Sequence, residues 1–304
     1  MLPTFHVFGL HIPMFGIMML IGMLSAFLLL WRTRRIIPFT EDALFSGALW
    51  AIILGFIGAK VLFWIVEFDQ VLADPGFLTA TLREGFVFYG ALIGGVLGIL
   101  IYSLRKKLPF LAYIDLFAPS LTLAHAFGRI GCFMAGCCYG CPTDGPLGVM
   151  FPPHSVAPSG IALLPTQLFE SAFLFILTIT LVWLLKKRRT FGTVTGWYLI
   201  LYGIWRFIIE FYRSDDRGAV GTLSTSQFIA IFMVAAGLVL LILIAKGIVS
   251  RGTLPDEEFV LEEDEQISDE ELEDTIEKAK EKPAKKAKVK KDDVPADDEI
   301  PENE

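Results

Sequence analysis

Residues 86–107 read FVFYGALIGGVLGILIYSLRKK, an apolar run followed at once by three positive charges. The run from 86 to 104 has no charged side chain, and as a helix it is long enough to cross about 30 Å of hydrocarbon. The cytoplasmic ends of transmembrane helices collect Lys and Arg. This one stretch therefore predicts a membrane span and the direction in which it crosses.

The same pattern recurs along the chain. The predicted spans are residues 12–31, 43–67, 86–104, 109–127, 162–185, 194–212 and 226–245. Basic residues follow the first, third, fifth and seventh spans, so every second loop is expected in the cytoplasm. We therefore predict an all-α polytopic membrane protein with about seven transmembrane helices, N-terminus outside and C-terminus inside, and a small outer-face loop region. No Lys or Arg precedes the first run, so we expect no cleaved signal peptide.

The composition excludes a soluble globular protein, because 54% of the 304 residues are hydrophobic and the mean hydropathy is +0.58. The net charge of −7 hides an uneven distribution. Residues 253–304 hold 21 Asp and Glu against 8 Lys, whereas the rest of the chain holds 18 basic and 12 acidic residues. Such a charged segment cannot bury enough apolar surface to fold alone. We predict a transmembrane domain over residues 1–250, a disordered cytoplasmic tail over 251–304, and no nucleic-acid partner.

Ionisable side chains inside membrane spans are costly and are candidates for function. They are Lys60, Glu67, Asp115, His125, Arg129, Glu170, Arg206 and Glu210. The predicted orientation puts Arg129, Arg206 and Glu210 at outer span ends, beside the outer loop 128–160. Arginines bind phosphate through paired, charge-assisted hydrogen bonds. Two of them could therefore hold a lipid phosphate or a transported anion, although Arg206 and Glu210 could also simply neutralise each other.

Gly90, Gly94 and Gly98 recur every four residues in the third span, a spacing that lets membrane helices approach closely. For Gly94 and Gly98 helix packing is the expected role. Gly90 stands beside Tyr89 at the outer edge and is expected to border a cavity.

All four cysteines lie in GRIGCFMAGCCYGC, residues 128–141. Structural zinc sites pair two Cys knuckles across a longer loop, whereas these cysteines are crowded together. A Cys138–Cys141 disulfide remains open, since an outer face is often oxidising. A thiol relay lacks a second cysteine pair elsewhere in the chain. The glycines of the stretch favour a tight turn that brings backbone amides close to a ligand.

The segment HAFGRIGCFMAGCCYG, residues 125–140, resembles the signature of bacterial prolipoprotein diacylglyceryl transferases. Further segments resemble the same family in the same order along the chain. They are GFIGAKVLF (55–63), REGFVFYGALIGG (83–95), PTQLFES (165–171), YGIWRFIIEFYR (202–213) and the Leu-to-Gln segment 223–227. The resemblance covers about residues 10–245 and leaves the tail outside.

The resemblance implies a transferase of the bacterial cytoplasmic (inner) membrane whose active site faces the periplasm. It would move the diacylglyceryl group of phosphatidylglycerol to the lipobox cysteine of a prolipoprotein signal peptide, forming a thioether and releasing glycerol 1-phosphate. It also implies that Arg129 and Arg206 are essential, with Glu210, Gly140 and Gln167 as supporting residues. Surrounding membrane lipids are the other expected partners, and we expect no cofactor and no metal.

The chain departs from the family pattern at several positions. Tyr89 replaces a histidine, Cys132 and Cys137 replace Asn and Glu, Phe15 replaces a tyrosine, and Leu164 replaces a histidine. We expect Tyr89 and Gly90 to border the lipid, with Cys132 and Cys137 beside it.

The reacting thiol has a pKa near 8.5, so a base should assist its ionisation. His125 shares a helical face with Arg129 and is the favoured base, although Tyr89 could position the lipid with no single base essential. The alternatives to a transferase are a lipid or anion transporter and an assembly factor that acts through its tail.

Overall fold

The computed structural model describes residues 4–7, 10–37, 39–74, 76–82, 85–153, 155–187, 190–215, 219–220 and 222–249. The predicted tail, 251–304, lies outside the described residues. The elements in chain order are β1 (Thr4–Val7), β2 (Leu10–Pro13), α1 (Met14–Thr33), α2 (Glu41–Val66), α3 (Phe68–Ala73), α4 (Phe77–Ala80), α5 (Phe88–Lys106), α6 (Phe110–Ala135), β3 (Val149–Met150), β4 (Ala162–Leu163), α7 (Thr166–Lys187), α8 (Thr193–Ile209), β5 (Ala219–Val220), β6 (Leu223–Ser224) and α9 (Thr225–Ala245). The strands form three antiparallel pairs, β1 with β2, β3 with β4, and β5 with β6.

Within these described ranges, six helical segments are long and apolar enough to cross a membrane. They are Met14–Ile36, Glu41–Val66, Phe88–Lys106, Phe110–Ala135, Thr166–Lys187 and Thr225–Ala245. The prediction of a helical, polytopic membrane protein is confirmed. The remaining predicted span, 194–212, corresponds to α8, which has 17 residues and ends in the 3-10 turn Glu210–Tyr212. At about 1.5 Å per residue this helix is roughly 25 Å long, shorter than the others.

Helices α2 and α5 pack antiparallel through small residues. A Cβ added at Gly98 would lie 2.5 Å from the Trp50 carbonyl oxygen, near the start of α2. One added at Gly94 would meet the Leu54 carbonyl, and one at Gly90 would meet Gly58, nearer the end of α2. The packing role expected of Gly94 and Gly98 is confirmed. Gly90 continues the same helical face and packs against α2 as well.

Two further helix pairs are antiparallel. In α1 and α6, an added Cβ at Gly22 would lie 3.0 Å from the Ala124 oxygen, and one at Gly131 would lie 3.1 Å from the Phe15 ring. In α8 and α9, an added Cβ at Gly203 would lie 3.1 Å from the Ala230 oxygen. These pairings bring the last turns of α6 and α8 to the same end of the bundle as the first turns of α7 and α9.

The opposite end of the bundle is fixed by Asp115, a fully buried carboxylate near the start of α6. Its oxygens accept hydrogen bonds from the Gly192 amide (2.8 Å), the Thr195 amide (2.8 Å) and the Thr195 hydroxyl (2.7 Å). A carboxylate here satisfies backbone donors at the first turn of α8 and suits its dipole. Asp115, one of the intramembrane charges, thus has a structural role.

Candidate active site

The turn after α6 is held against the start of α7. Helix α6 ends at Gly136, whose φ of 76° is the left-handed conformation that commonly caps a helix. Gln167 Nε2 donates to the Cys137 carbonyl at 2.7 Å, and the Thr166 hydroxyl donates to the Cys138 carbonyl at 3.0 Å. We call residues 136–141 the cysteine turn. Its carbonyls are bound by side chains of α7, so α7 fixes its position.

The cysteine turn also contacts the chain that follows α8. The Gly140 amide donates to the Leu164 carbonyl at 2.9 Å, and a Cβ added at Gly140 would lie 2.7 Å from that oxygen. The Cys141 amide donates to the Tyr212 carbonyl at 2.9 Å, and Gly140 pairs with Arg213 in an isolated β-bridge. The turn therefore joins the start of α7 to the end of α8 and brings Arg213 into the site.

Three arginines and two glutamates meet beneath this turn, and we call Arg129, Arg206, Arg213, Glu170 and Glu210 the charge cluster. Arg129 Nη2 lies 2.9 Å from Glu170 Oε1, and Arg206 Nη1 lies 2.9 Å from Glu210 Oε2. Arg213 lies between the two acids, with Nη1 3.8 Å from Glu170 Oε2 and Nε 3.9 Å from Glu210 Oε2. The side chains are at most 11% exposed. The predicted convergence of Arg129 and Arg206 at one end of the bundle is thus observed, joined by Arg213.

Each arginine of the cluster keeps a buried N–H group with no hydrogen-bond acceptor among the described residues. These groups are Arg129 Nε, Arg206 Nη1 and Arg213 Nη1. Arg206 Nη1 is close to Glu210 but is not aligned for a hydrogen bond, so its contact is an ion pair only. A buried donor left unpaired costs about 1–3 kcal/mol, and native structures rarely leave several together. Glu170 Oε2 and Glu210 Oε2, which face two of these donors, also lack a hydrogen bond. The cluster thus holds unpaired groups of both kinds, and its three donors can bind an anionic ligand.

Glu170 is the centre of the cluster, although its position in the sequence indicated no specific role. Its Oε1 binds Arg129, accepts a hydrogen bond from the Tyr202 hydroxyl at 3.3 Å, and lies 4.0 Å from His125 Nε2. The side chain is fully buried. One signal could have identified it: a carboxylate inside an apolar span, three residues after Gln167, shares a helical face with that residue.

Arg213, just beyond the predicted sixth span, was not among the candidate residues. Asp215 binds it through two hydrogen bonds, at 3.0 Å to Nε and 2.9 Å to Nη2. Burial disfavours the charged guanidinium, but these bonds and the charge of Asp215 outweigh burial and raise the pKa of Arg213. Arg213 therefore stays cationic.

Tyr89 lies at the edge of this region. Its side chain is partly exposed, and its ring centroid is 5.9 Å from that of Phe88. The Phe88 ring is in turn 6.4 Å from His125. The Phe88 ring thus lies between the rings of Tyr89 and His125.

Three of the four cysteines lie together, and the fourth lies apart from them. All four are thiols in the structure, so the possible Cys138–Cys141 disulfide is not formed. The sulfurs of Cys132, Cys137 and Cys138 lie within 4.8 Å of one another. Cys141 Sγ instead lies 3.5 Å from the Arg213 carbonyl.

Comparison with known proteins identifies relatives along most of the chain. The family model described as "Prolipoprotein diacylglyceryl transferase" matches residues 3–243. The phosphatidylglycerol–prolipoprotein diacylglyceryl transferase 2 of Clostridium perfringens (strain 13 / Type A) is 44% identical over 235 residues, 77% of this chain and 92% of the relative. The phosphatidylglycerol–prolipoprotein diacylglyceryl transferase of Clostridium tetani is 44% identical over 77% of this chain and 94% of its own length. That of Finegoldia magna is 31% identical over 81% of this chain and 96% of its own length.

Proposed function

The chain belongs to the prolipoprotein diacylglyceryl transferase family, and we infer from this membership and from the charge cluster that it is a phosphatidylglycerol–prolipoprotein diacylglyceryl transferase. It moves the diacylglyceryl group of phosphatidylglycerol to the lipobox cysteine thiol of a prolipoprotein, with a thioether and glycerol 1-phosphate as products. The observation that carries the chemistry is the set of three buried arginine donors without acceptors.

The arginines hold the phosphate of the lipid. In the reaction, the thiol sulfur attacks the glycerol carbon of the diacylglyceryl group, a sulfur–carbon bond forms, and the bond from that carbon to the phosphate oxygen breaks. The departing glycerol 1-phosphate takes the electron pair of that bond. Fixed donors stabilise such developing charge best where water is excluded. Arg129 and Arg206 are assigned this task, and Arg213 contributes a third donor to the same cluster.

His125 removes the proton of the thiol. Its Nε2 lies 4.0 Å from Glu170 Oε1, so an imidazolium formed there has a carboxylate beside it. The proton then passes to the departing phosphate, which leaves the enzyme unchanged after a turnover. Glu170 and Glu210 act as positioning residues, since their contacts are with the arginines and the histidine.

The remaining assigned residues shape the lipid site. Gln167 and Gly140 hold the cysteine turn over the charge cluster through the hydrogen bonds described above. Cys132 and Cys137 are assigned to the wall of the lipid site beside that turn. Tyr89, at the partly exposed end of α5, is assigned to the entrance for the lipid, with Gly90 behind it against α2.

We place the charge cluster on the outer face of the bacterial inner membrane, with α8 as the seventh span. Basic residues lie in or just after the last turns of α1, α5, α7 and α9, at the end of the bundle opposite the cluster. They are Arg32, Arg34, Arg35, Arg105, Lys106, Lys186, Lys187 and Lys246. Such residues collect on the cytoplasmic side, which supports an outward-facing site, an outside N-terminus and a cytoplasmic tail from residue 251. The transporter alternative is not favoured, because the relatives are named as transferases.

The experiment is a transfer reaction with the purified full chain. Phosphatidylglycerol and a lipobox peptide are mixed with the protein, and mass spectrometry detects the diacylglyceryl peptide. The matched control is a peptide in which serine replaces the lipobox cysteine. We expect a thioether product with the cysteine peptide alone. Lipid movement across vesicles without any thioether would contradict the transferase and indicate a transporter.

A further inference from the structure

The grouping of three thiols has no part in the transfer chemistry described above. Cys132 belongs to the last turn of α6, whereas Cys137 and Cys138 follow the Gly136 cap. The left-handed cap reverses the chain, so residues crowded in sequence bring their sulfurs together from two directions, within 4.8 Å. All three residues are partly exposed. The fold therefore groups sulfurs whose crowded spacing in the sequence indicated no metal site.

The turn that carries these thiols is held in an unusual conformation. Cys138 has φ of 63°, in the left-handed region that side chains other than glycine rarely adopt. Backbone strain of this kind costs about 1–3 kcal/mol and persists only where the surroundings impose it. Here Thr166 and Gln167 impose it by binding the carbonyls of Cys138 and Cys137. The positions of two of the three sulfurs are thus set by α7.

We propose that Cys132, Cys137 and Cys138 form a three-thiolate site for a soft metal cation such as Zn²⁺. Zinc–sulfur bonds of about 2.3 Å require sulfurs about 4 Å apart, which the group reaches with small side-chain movements. Each thiol loses its proton as its bond to the cation forms, so binding releases three protons. Soft sulfur ligands select Zn²⁺ and its heavier analogues over Mg²⁺ or Ca²⁺.

Two arginines lie close to the group. Arg129 lies one turn before Cys132 and interacts electrostatically with Cys132 and Cys138, and Arg213 interacts with Cys138. Three thiolates with one divalent cation carry a net charge of −1, which these arginines offset. The same arginines are assigned to the lipid phosphate, so an occupied metal site competes for them. A bound cation therefore inhibits transfer. This inhibition rests on the proposed function, whereas metal binding does not.

The test uses the full chain in detergent, titrated with Cd²⁺ as a spectroscopic probe. Cadmium–thiolate bonds add a charge-transfer band in the ultraviolet, and we expect this band to saturate at about one Cd²⁺ per chain. Cys132→Ser and Cys138→Ser should abolish the band. Cys141→Ser is the matched control, because its sulfur lies by the Arg213 carbonyl and outside the group, and it should keep the band. A band that survives both serine variants, or that Cys141→Ser removes, overturns the site.

Two further measurements test the site without relying on the serine variants and distinguish a metal site from a redox pair. X-ray absorption of the zinc-loaded wild type should show three sulfur neighbours at about 2.3 Å, and fewer than three contradicts the site. Thiol counting without reductant should find all four thiols, and two missing thiols would indicate a redox pair instead. Zn²⁺ should also lower thioether formation reversibly in the wild type and in Cys141→Ser. If the protein proves not to be a transferase, the cadmium titration still decides whether it binds metal.

Discussion

Glu170 shows how a single buried charge organises the site. Its two oxygens face Arg129 and Arg213, and His125 and Tyr202 approach one of them. A buried ion pair that loses one partner leaves the other uncompensated, which is strongly destabilising to the local arrangement. Glu170 is therefore expected to matter through the residues it holds, although the transfer chemistry does not involve it directly.

Replacing Glu170 with Gln tests that role. The variant keeps the shape but removes the charge that holds Arg129, so we expect thioether formation to fall by roughly 100-fold, as for loss of one fixed electrostatic contact. Tyr202→Phe is the milder comparison, because it removes only one hydrogen bond worth about 1 kcal/mol. A positioning role predicts partial recovery in Glu170→Asp and, in Glu170→Gln, a rate that saturates only at higher phosphatidylglycerol concentration. Unchanged kinetics in Glu170→Gln would contradict it.

His125→Gln tests the assignment of the base. General base catalysis contributes about 10²–10⁴-fold, so the variant should lose activity by that order near neutral pH. A free thiol has a pKa near 8.5 and ionises without help above that pH. The variant should therefore recover towards the wild-type rate as pH rises through this range. Wild-type activity at neutral pH would remove His125 as the base.

At the level of single residues, part of the site could be predicted. Arg129 and Arg206 follow from intramembrane position and from the family resemblance. Arg213 and Asp215 could not be assigned, because their place depends on the bridge between Gly140 and Arg213, a long-range contact. Glu170 was visible as a buried charge, but which arginine it binds depends on how α6 and α7 pack.

At the level of elements, the apolar runs locate the helices well because lipid requires long, continuous, internally hydrogen-bonded segments. The predicted span 43–67 corresponds to α2 (Glu41–Val66), and the predicted span 226–245 corresponds to α9 (Thr225–Ala245). The two-residue strands β3 and β4 were not predicted, since so short a pair carries no alternating pattern. They matter because Leu164, directly after β4, accepts a hydrogen bond from the Gly140 amide of the cysteine turn.

The contact between α2 and α5 makes a prediction about adjacent glycines. A Cβ added at Gly94 would meet the Leu54 carbonyl and force the helices apart, whereas one at Gly95 would lie 3.5 Å from the Ala51 oxygen, an ordinary contact. Gly94→Ala should therefore lower the thermal unfolding temperature in detergent, and Gly95→Ala should leave it nearly unchanged. Equal unfolding temperatures for the two variants would show that this close approach is not needed.

At the scale of the whole molecule, the family match ends at residue 243 and the acidic tail begins shortly after it. Every residue assigned to the site precedes residue 243. A chain truncated after residue 250 should therefore keep the transfer rate of the full chain when assayed with saturating lipid and peptide. An abolished rate in a folded truncation would favour the alternative in which the tail carries the function.

The arrangement of the whole molecule also supplies a control for the proposed phosphate site. The charge cluster lies at one end of the bundle, whereas Arg105, near the end of α5, is exposed at the other end and lies over the Trp50 ring. Removing either side chain deletes one positive charge, but only one deletion affects the proposed phosphate site. The two variants therefore separate binding of the phosphate from a general effect of charge.

Thioether formation by Arg129→Ala, compared with Arg105→Ala, bears most directly on that site. We predict a loss of at least about 100-fold for Arg129→Ala, since a fixed donor to the departing phosphate is removed, and near wild-type activity for Arg105→Ala. Arg129→Lys should fall between them, because it keeps the charge without the paired geometry. Full activity in a folded Arg129→Ala variant would contradict the assignment of the buried arginines to the lipid phosphate.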